Sequence, residues 1–397
     1  MSRIDDLIAK HCPDGVEFKE LQELFITRNG YTPSTTNKAY WTDGTVPWFR
    51  MEDIRENGRI LGESLQQITE EAVKGSRLFP ANSIIIATSA TIGEHALITV
   101  PHLSNQRFTS LALKPEFIER LNMKFVFYYC FVLDDWCRKN TTTSSFASVD
   151  MNGFKKFRFP LPHIEVQREI VKVLDTFTEL EAELEAELEA RRRQYKYYRD
   201  ALLSFGERTD AEASKQASKQ ARITTLSEIT TTIASGRNKQ RMSEGIYPVY
   251  GSTGLIGYSD KPAYSGDALL VARVGANAGL VNAVSGDFDV SDNTLVVRPS
   301  SDWDVRFAFH QMTHMNLNQY AVGGGQPLVT GGLLKNLKVL LPPLKEQERI
   351  ASILDKFDAL VNDLSSGLPA EIKARRQQYE HYRDRLLNFP KLEEVAV

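Results

Sequence analysis

One block of this chain occurs twice. Leu161-Pro162-His163-Ile164-Glu165-Val166-Gln167, running on to Ile170, Leu174-Asp175, Phe177 and Leu180, returns as Leu341-Pro342-Pro343-Leu344-Lys345-Glu346-Gln347 with Ile350, Leu354-Asp355, Phe357 and Leu360, an offset of 180 residues. Further on, Ala190-Arg191-Arg192-Arg193-Gln194-Tyr195 through Tyr198-Arg199-Asp200 and Leu202-Leu203 to Phe205 recurs as Ala374-Arg375-Arg376-Gln377-Gln378-Tyr379 through Tyr382-Arg383-Asp384 and Leu386-Leu387 to Phe389, now at an offset of 184. The second copy has therefore gained about one helical turn between the two blocks. A period this long is not that of a stacked solenoid repeat. It describes a duplicated module, each copy a globular unit followed by a long helix.

Within each repeat the apolar residues follow three-and-four spacing. They are Ile170, Leu174, Phe177, Leu180, Leu184, Leu188, Tyr195, Tyr198, Leu202 and Phe205 in the first copy, and Ile350, Leu354, Phe357, Leu360, Leu364, Tyr379, Tyr382, Leu386 and Phe389 in the second. That is a coiled-coil seam. A helix of about 40 residues is about 60 Å long, and one so striped needs a partner, so the two helices are expected to pack together. The middles differ. The first copy has three tandem Glu-Leu-Glu-Ala units over 179–190, all strong helix formers, and is expected to be continuous. The second has Ser365-Ser366-Gly367-Leu368-Pro369, where Gly367 suits a helix C-cap and Pro369 a new first turn, so a break is expected there.

The resulting organisation is an N-terminal helical segment (1–14), a first globular domain (15–160), a central helix (161–205), a low-complexity linker (206–221), a second globular domain (222–340) and a C-terminal helix (341–397). Both domains mix short β-branched strands such as Ser83–Ala87 and Ala268–Ala272 with Gly, Asn and Asp turns. Each closes on one apolar helix, Arg120–Cys137 and Val305–Leu317. The fold class is α/β, in the mixed α+β sense. At 397 residues each domain is large enough for its own core.

No N-terminal apolar run resembles a signal peptide, and the greasiest stretch, Phe125 to Leu133, is half a membrane span. Cys12, Cys130 and Cys137 form no CxxC pair, so neither zinc nor disulfides are indicated and the expected compartment is the cytoplasm. A net charge of −3 permits a DNA-binding face without demanding one, because the acid is concentrated in Glu179 to Glu189. Catalytic motifs are missing: no Asn-Pro-Pro-Tyr or Asp-Pro-Pro-Tyr clamp, no glycine-rich cofactor turn and no phosphate loop. Asp14, Glu17 and Lys19 carry the letters of a metal-dependent nuclease but stand too close together to chelate from two strands. The seven histidines show no metal or triad spacing, and the expectation is no catalytic residue and no metal.

Together these features resemble the specificity subunit of a type I restriction-modification enzyme, in the subgroup with tandem four-residue repeats in its spacer. The resemblance rests on Leu341-Pro342-Pro343-Leu344-Lys345-Glu346-Gln347-Glu348-Arg349-Ile350, on Ala-Arg-Arg-x-Gln-Tyr…Tyr-Arg-Asp-x-Leu-Leu in both copies, and on the Glu-Leu-Glu-Ala array. Val46-Pro47-Trp48-Phe49-Arg50 and Tyr247-Pro248-Val249-Tyr250-Gly251-Ser252 add to it. It implies two target recognition domains joined by a pair of long antiparallel coiled-coil helices. Each domain would read half of a bipartite site in double-stranded DNA. The helices would set the spacing and dock two methyltransferase subunits, which recruit the restriction-translocase subunits; no membrane is involved. S-adenosylmethionine, ATP and Mg²⁺ would belong to those partners, with no cofactor bound by this chain.

Readout needs Arg, Lys, Asn or Gln at base edges and hydroxyl or backbone groups on phosphates. In the first domain the candidates are Arg50, Thr88, Ser89, Asn105, Gln106, Arg107 and the Thr141–Ser145 loop with Thr142, Thr143 and Ser144, plus Lys155 on phosphate. In the second they are Arg237, Lys239, Arg241, Tyr250, Ser252, Thr253, Arg273, Asn277, Asn293 and Gln326. Asn277 and Asn293 also suit ordinary turns, and Trp48 suits a core position. Two other readings stay open: a coiled-coil scaffold binding proteins or glycans, and a self-sufficient methyltransferase or nuclease, against which the missing motifs argue.

Overall fold

The computed structural model describes residues 2–142, 147–204, 221–323 and 325–392, so all but Ala221 of the expected linker lies outside the described residues. The chain divides into two units, residues 1–182 with 375–397, and residues 183–374. The boundary falls within the helix Ile164–Leu203, which is continuous as its composition predicts. Each unit thus holds one globular region, the start of the helix that follows it, and the end of the other copy's helix.

In the first unit a five-stranded sheet runs in the order Phe25–Asn29, Phe108–Leu113, Ser83–Ala87, His95–Ile98, Ile60–Leu61, antiparallel except for the last pair. Ser83–Ala87 is buried at all five positions, which is why it is an isoleucine run. Its alternate side chains serve two layers. Ile84 and Ile86 pack with Phe125, Val126 and Leu133 of the helix Met123–Lys139, while Ile85 and Ala87 pack with Phe49, Met51 and Ile54. Phe49 belongs to a second, three-stranded sheet in which Val46–Phe49 runs parallel to Leu103–Ser104.

The second unit repeats this plan with different residues. Its main sheet runs Thr230–Ser235, Thr294–Pro299, Ala268–Ala272, Val281–Val284, all antiparallel. Leu269 and Val271 face the helix Val305–His314, and Ala268 and Leu270 face Phe288 and Val290. In the companion sheet Tyr247–Gly251 runs parallel to Asp287–Val290. The first apolar helix is Met123–Lys139 where Arg120–Cys137 is expected, and the second ends at His314, short of Leu317. Asn122 takes the N-cap of the first, accepting from the amides of Lys124 and Phe125. Leu317 falls in a separate turn after Asn316, whose φ of 47° is left-handed and interrupts the second helix.

The repeated residues do the same work in both units. Gln167 is fully buried; its amide donates to the carbonyls of Arg120 (2.9 Å) and Pro162 (2.7 Å) and accepts from the amide of Asn122 (2.8 Å). Gln347 donates to Asp302 (2.9 Å) and Pro342 (2.8 Å) and accepts from Asp304 (2.8 Å). Asp175 takes hydrogen bonds from Lys124 and Tyr128, both at 2.7 Å, and Asp355 takes them from Arg306 and His310, also at 2.7 Å. Phe177 lies against Tyr379 and stacks on Tyr382 at 5.5 Å, and Phe357 stacks on Tyr195 and Tyr198, the latter at 5.3 Å. In the first unit Phe177 meets Tyr382 while Glu181 pairs with Arg376, so the two helices run antiparallel.

The second helix is broken, into Leu344–Asn362 and Leu368–Leu386. Asp363, not Gly367, is the C-cap. Gly367 stands just before the next helix, where a Cβ would lie 2.5 Å from the Ala359 carbonyl oxygen, and Pro369 occupies the first turn. Leu364 leaves the expected seam: it lies in the break and is 79% exposed, while Val361 is buried instead. Among the described residues no helix is long and apolar enough to cross a membrane. Replacing Gln167 by Ala strands two carbonyls and one amide at about 1–3 kcal/mol each. Gln167→Ala and Gln347→Ala are each expected to cost about 3 kcal/mol or more in urea unfolding, and to within about 1 kcal/mol of each other.

Candidate nucleic-acid interface

The parallel strands Val46–Phe49 and Leu103–Ser104 end side by side, and the turns that leave them are held at one edge of the first unit. The Asn105 amide donates to the Phe49 carbonyl (3.0 Å) and the Thr88 amide to the Arg107 carbonyl (2.9 Å). Arg50, Thr88, Ser89, Asn105, Gln106 and Arg107, scattered over nearly sixty positions of sequence, are brought together by these bonds. Their roles there differ. Thr88 is buried, 3.0 Å from the Thr109 hydroxyl, and ties strands together. Asn105 Oδ1 accepts from the Arg107 amide (3.0 Å), shaping the turn that exposes Gln106 and Arg107. Gln106 is bonded to the Thr32 hydroxyl. The Arg50 guanidinium lies over the Trp48 ring, 5.6 Å from its centre.

Ser89 pairs with Ser148, whose hydroxyl is 2.9 Å from that of Thr142, so Thr142 reaches the same edge. Thr143, Ser144 and Ser145 lie outside the described residues. Lys155 is exposed on the helix Met151–Lys156, two residues before Phe157, whose carbonyl accepts from Leu21. That helix leads away from the Thr88 edge, and among the described residues Lys155 is joined to none of the other candidates. Beside Arg50 a cavity of about 390 Å³ is lined by Thr32, Thr35, Lys38, Trp41, Thr42, Trp48 and Gln66 as well. Trp48 is only 5% exposed, as its core reading anticipates, and meets Trp41 edge to face at 4.9 Å. Thr32, Lys38, Trp41 and Ser148 are absent from the sequence-derived set, for no local motif marks them.

The second unit builds the same edge. The Ser291 amide donates to the Tyr250 carbonyl (2.9 Å), and the Arg273 amide to the Asn293 carbonyl (2.8 Å), which also accepts from the Ser252 hydroxyl (3.0 Å). Arg273 is thus the counterpart of Thr88, and Asn293 of Arg107. Thr253 and Asn277 are exposed in adjoining turns, with the Asn277 carbonyl accepting from Leu280. Gln326 is exposed beside Pro327 and Leu328, which bond to Gly275 and Val274 and so join it to the Arg273 loop. Arg237, Lys239 and Arg241 are all exposed. Between them Asn238 pins their loop inward, its amide on the Val290 carbonyl (2.9 Å) and its side chain on Asp289 (2.5 Å).

Glycine is required where each edge closes. A Cβ on Gly30 would lie 2.2 Å from the Asn105 carbonyl oxygen, and one on Gly236 would lie 2.3 Å from that of Ser291. The backbone leaving the first strand of each sheet crosses the turn between the two layers at a distance only glycine allows.

Residues 13–190 and 219–374 match the family described as the type I restriction modification DNA specificity domain. The chain is similar to the specificity subunit of the type I restriction enzyme EcoprrI of Escherichia coli, 50% identical over 371 residues that cover 89% of this chain and 90% of that one. The EcoR124I/EcoR124II specificity subunit of Escherichia coli is 31% identical over 310 residues, covering 69% of this chain and 72% of that one. Among solved structures, the type I restriction-modification S subunit of M. genitalium shares the fold, with a TM-score of 0.59 at 16% identity over 94% of this chain and 96% of that one. A chain from a type I R-M system solved in a study of complex assembly and conformational transition has a TM-score of 0.62 at 18% identity, covering 94% of this chain and 98% of that one.

The support beneath the first edge is sensitive to acid. His102 is fully buried, edge-on to Phe49 at 5.5 Å and 2.9 Å from the Val100 carbonyl, immediately before the strand that presents Asn105. Burial pushes its pKa down to about 4; the Val100 carbonyl opposes the shift and the charge of Arg28 adds to it. A histidine depressed from 6.5 is neutral in both states above that pH, so its contribution to stability is complete there. Below 6.5 the unfolded chain takes up the proton first, and about 3 kcal/mol is lost as the pH falls to about 4. His102→Leu, whatever its effect at neutral pH, is expected to remove that dependence from urea midpoints measured between pH 7 and 4.

Proposed function

The chain belongs to the family of type I restriction-modification specificity subunits, and from that membership we propose that its two edges each read one half of a bipartite DNA site. It is a non-catalytic recognition subunit: it supplies sequence specificity to an assembly whose other subunits carry out methylation and cleavage. One observation carries the division into half-sites. The same hydrogen-bonded frame is built twice, with Thr88 and Arg107 in one unit and Arg273 and Asn293 in the other. A shared frame with different side chains suits two readers of different base sequences. Arg107, Gln106 and Asn105 on one edge, and Arg273, Asn293 and Gln326 on the other, have the hydrogen-bonding chemistry of base-edge readers. Arg237, Lys239 and Arg241 suit phosphates.

In this reading the repeated helices dock two methyltransferase subunits, through which the restriction-translocase subunits join, and the complex works in the cytoplasm. S-adenosylmethionine, ATP and Mg²⁺ are bound by those partners. The Glu-Leu-Glu-Ala array is a ruler between half-sites. One unit adds about 6 Å of helix and a net turn of about 40°, against about 3.4 Å per base pair.

The test is a map of N6-methyladenine in a host carrying this gene with its partner subunits and in the same host with only this gene deleted. One gapped motif should vanish with the gene, and removing one Glu-Leu-Glu-Ala unit should shorten its gap by one or two base pairs. An unchanged methylome would defeat the reading, and an unchanged gap would defeat the ruler. On the assembled methyltransferase, Arg107→Ala should lose about 1–3 kcal/mol of discrimination at one position of one half-site. Lys239→Ala should weaken binding to all sequences alike and reduce the salt slope by about one. A protein-binding scaffold would show neither effect.

A further inference from the structure

We propose that His11, His163 and Glu165 form a binding site for a divalent transition metal in the first unit. Two of them lie more than 150 residues from the third, which is why no metal spacing is visible in the sequence. The fold brings them together because the N-terminal helix Ser2–His11 packs on the start of the central helix. Ile4 is buried in the core, Arg3 lies 3.6 Å from Glu169, and His11 Nε2 lies 3.1 Å from Glu165 Oε2. One potential ligand atom from each of the three residues lies within 4.8 Å of the others.

Two further features point to a cation. The His11 and His163 rings are stacked at 4.1 Å and only 5° from parallel, which sets two imidazoles side by side, and His163 Nδ1 accepts from the Glu165 amide (3.4 Å). His11 Nε2 is buried, yet despite its nearness to the carboxylate it is out of line for any hydrogen bond. A buried imidazole nitrogen left without an aligned hydrogen bond has lost its water with nothing in exchange. A metal ion between it and the carboxylate would satisfy both. The duplication supplies an internal comparison. Gln167 and Asp175 keep their identities in the second copy as Gln347 and Asp355, but His163 and Glu165 become Pro343 and Lys345. The helix start therefore does not need these two residues, whose chemistry is confined to the unit that also has His11.

Two imidazoles and one carboxylate select zinc, or cobalt and nickel in its place, over Mg²⁺. Tetrahedral zinc wants ligand atoms about 3.3 Å apart. His163 and Glu165 are exposed and can turn inward to meet that distance, leaving one position for water. The bound ion would fasten the N-terminal helix to the central helix and stabilise the folded chain by mass action.

The full-length chain, stripped with EDTA, is titrated with ZnCl₂ by calorimetry and melted with and without the metal. One equivalent should bind and raise the melting temperature, and MgCl₂ should do neither. His11→Ala, His163→Pro and Glu165→Gln should each weaken zinc binding by about tenfold or more and abolish the rise, while melting like the parent in EDTA. His163→Pro installs the residue already used at that position in the second copy. Cobalt gives an independent reading: its spectrum should show the visible d–d bands of a tetrahedral ion and no thiolate charge-transfer band, which separates this site from Cys12, Cys130 and Cys137. Absence of stoichiometric zinc, a thiolate band, or binding unchanged in His11→Ala and His163→Pro would each overturn the proposal. If a variant unfolds in EDTA, the cobalt spectrum of the parent decides.

Discussion

A primary amide buried in a protein has both donor and acceptor valences to satisfy, and leaving one open costs as much as a good packing contact provides. Gln167 meets that demand by bonding three pieces of chain at once: the proline turn that starts its helix, the loop before the apolar helix, and the capping residue Asn122. Gln347 does the same with Pro342, Asp302 and Asp304. These bonds fix where the long helix leaves each globular region and where the apolar helix begins. They set the position of the main sheet too, since that helix covers one of its faces, and with it the position of the edge beyond. Asp175 and Asp355 add a second tie eight residues along the same helix.

The aromatic contacts explain why the repeat has two parts. Phe177 and Phe357 each lie thirteen residues into their helices, but the tyrosines they stack on lie toward the end of the other copy's helix. Neither copy can complete its unit alone, because the ring that covers its phenylalanine is supplied by the other. The two shared blocks are therefore matched in different units, and the stretch between them is free to differ. The first copy fills it with the Glu-Leu-Glu-Ala array in one continuous helix; the second has four more residues and a break over 363–367. Gly367 is held at the break by carbonyl crowding, not by a left-handed turn.

The candidate edges were legible in part. Arg107, Gln106, Asn293 and Arg273 stand out as polar residues in turns after apolar strands. Thr88 has the same signature, yet it is buried against Thr109; burial of a hydroxyl depends on a strand far away in sequence. Lys155 has the right charge, but the direction of its helix is a tertiary property. Thr32, Lys38, Trp41 and Ser148 escape notice for the converse reason: each acts through a neighbour dozens of residues distant or in a loop without pattern. The grouping of His11 with His163 and Glu165 is the extreme of that case.

Periodicity and repetition are enough to read the duplication, the helix seams, the continuity of one helix and the break in the other. These are properties of neighbours along the chain, where 3.6-residue spacing and backbone conformation act locally. Three other features exist only in the folded chain: each unit borrows the end of the other copy's helix, one frame underlies two edges with unlike side chains, and only some of the polar residues reach those edges. Such choices turn on buried hydrogen bonds and ring contacts between segments far apart in sequence, whose energies exist only once the chain has brought them together.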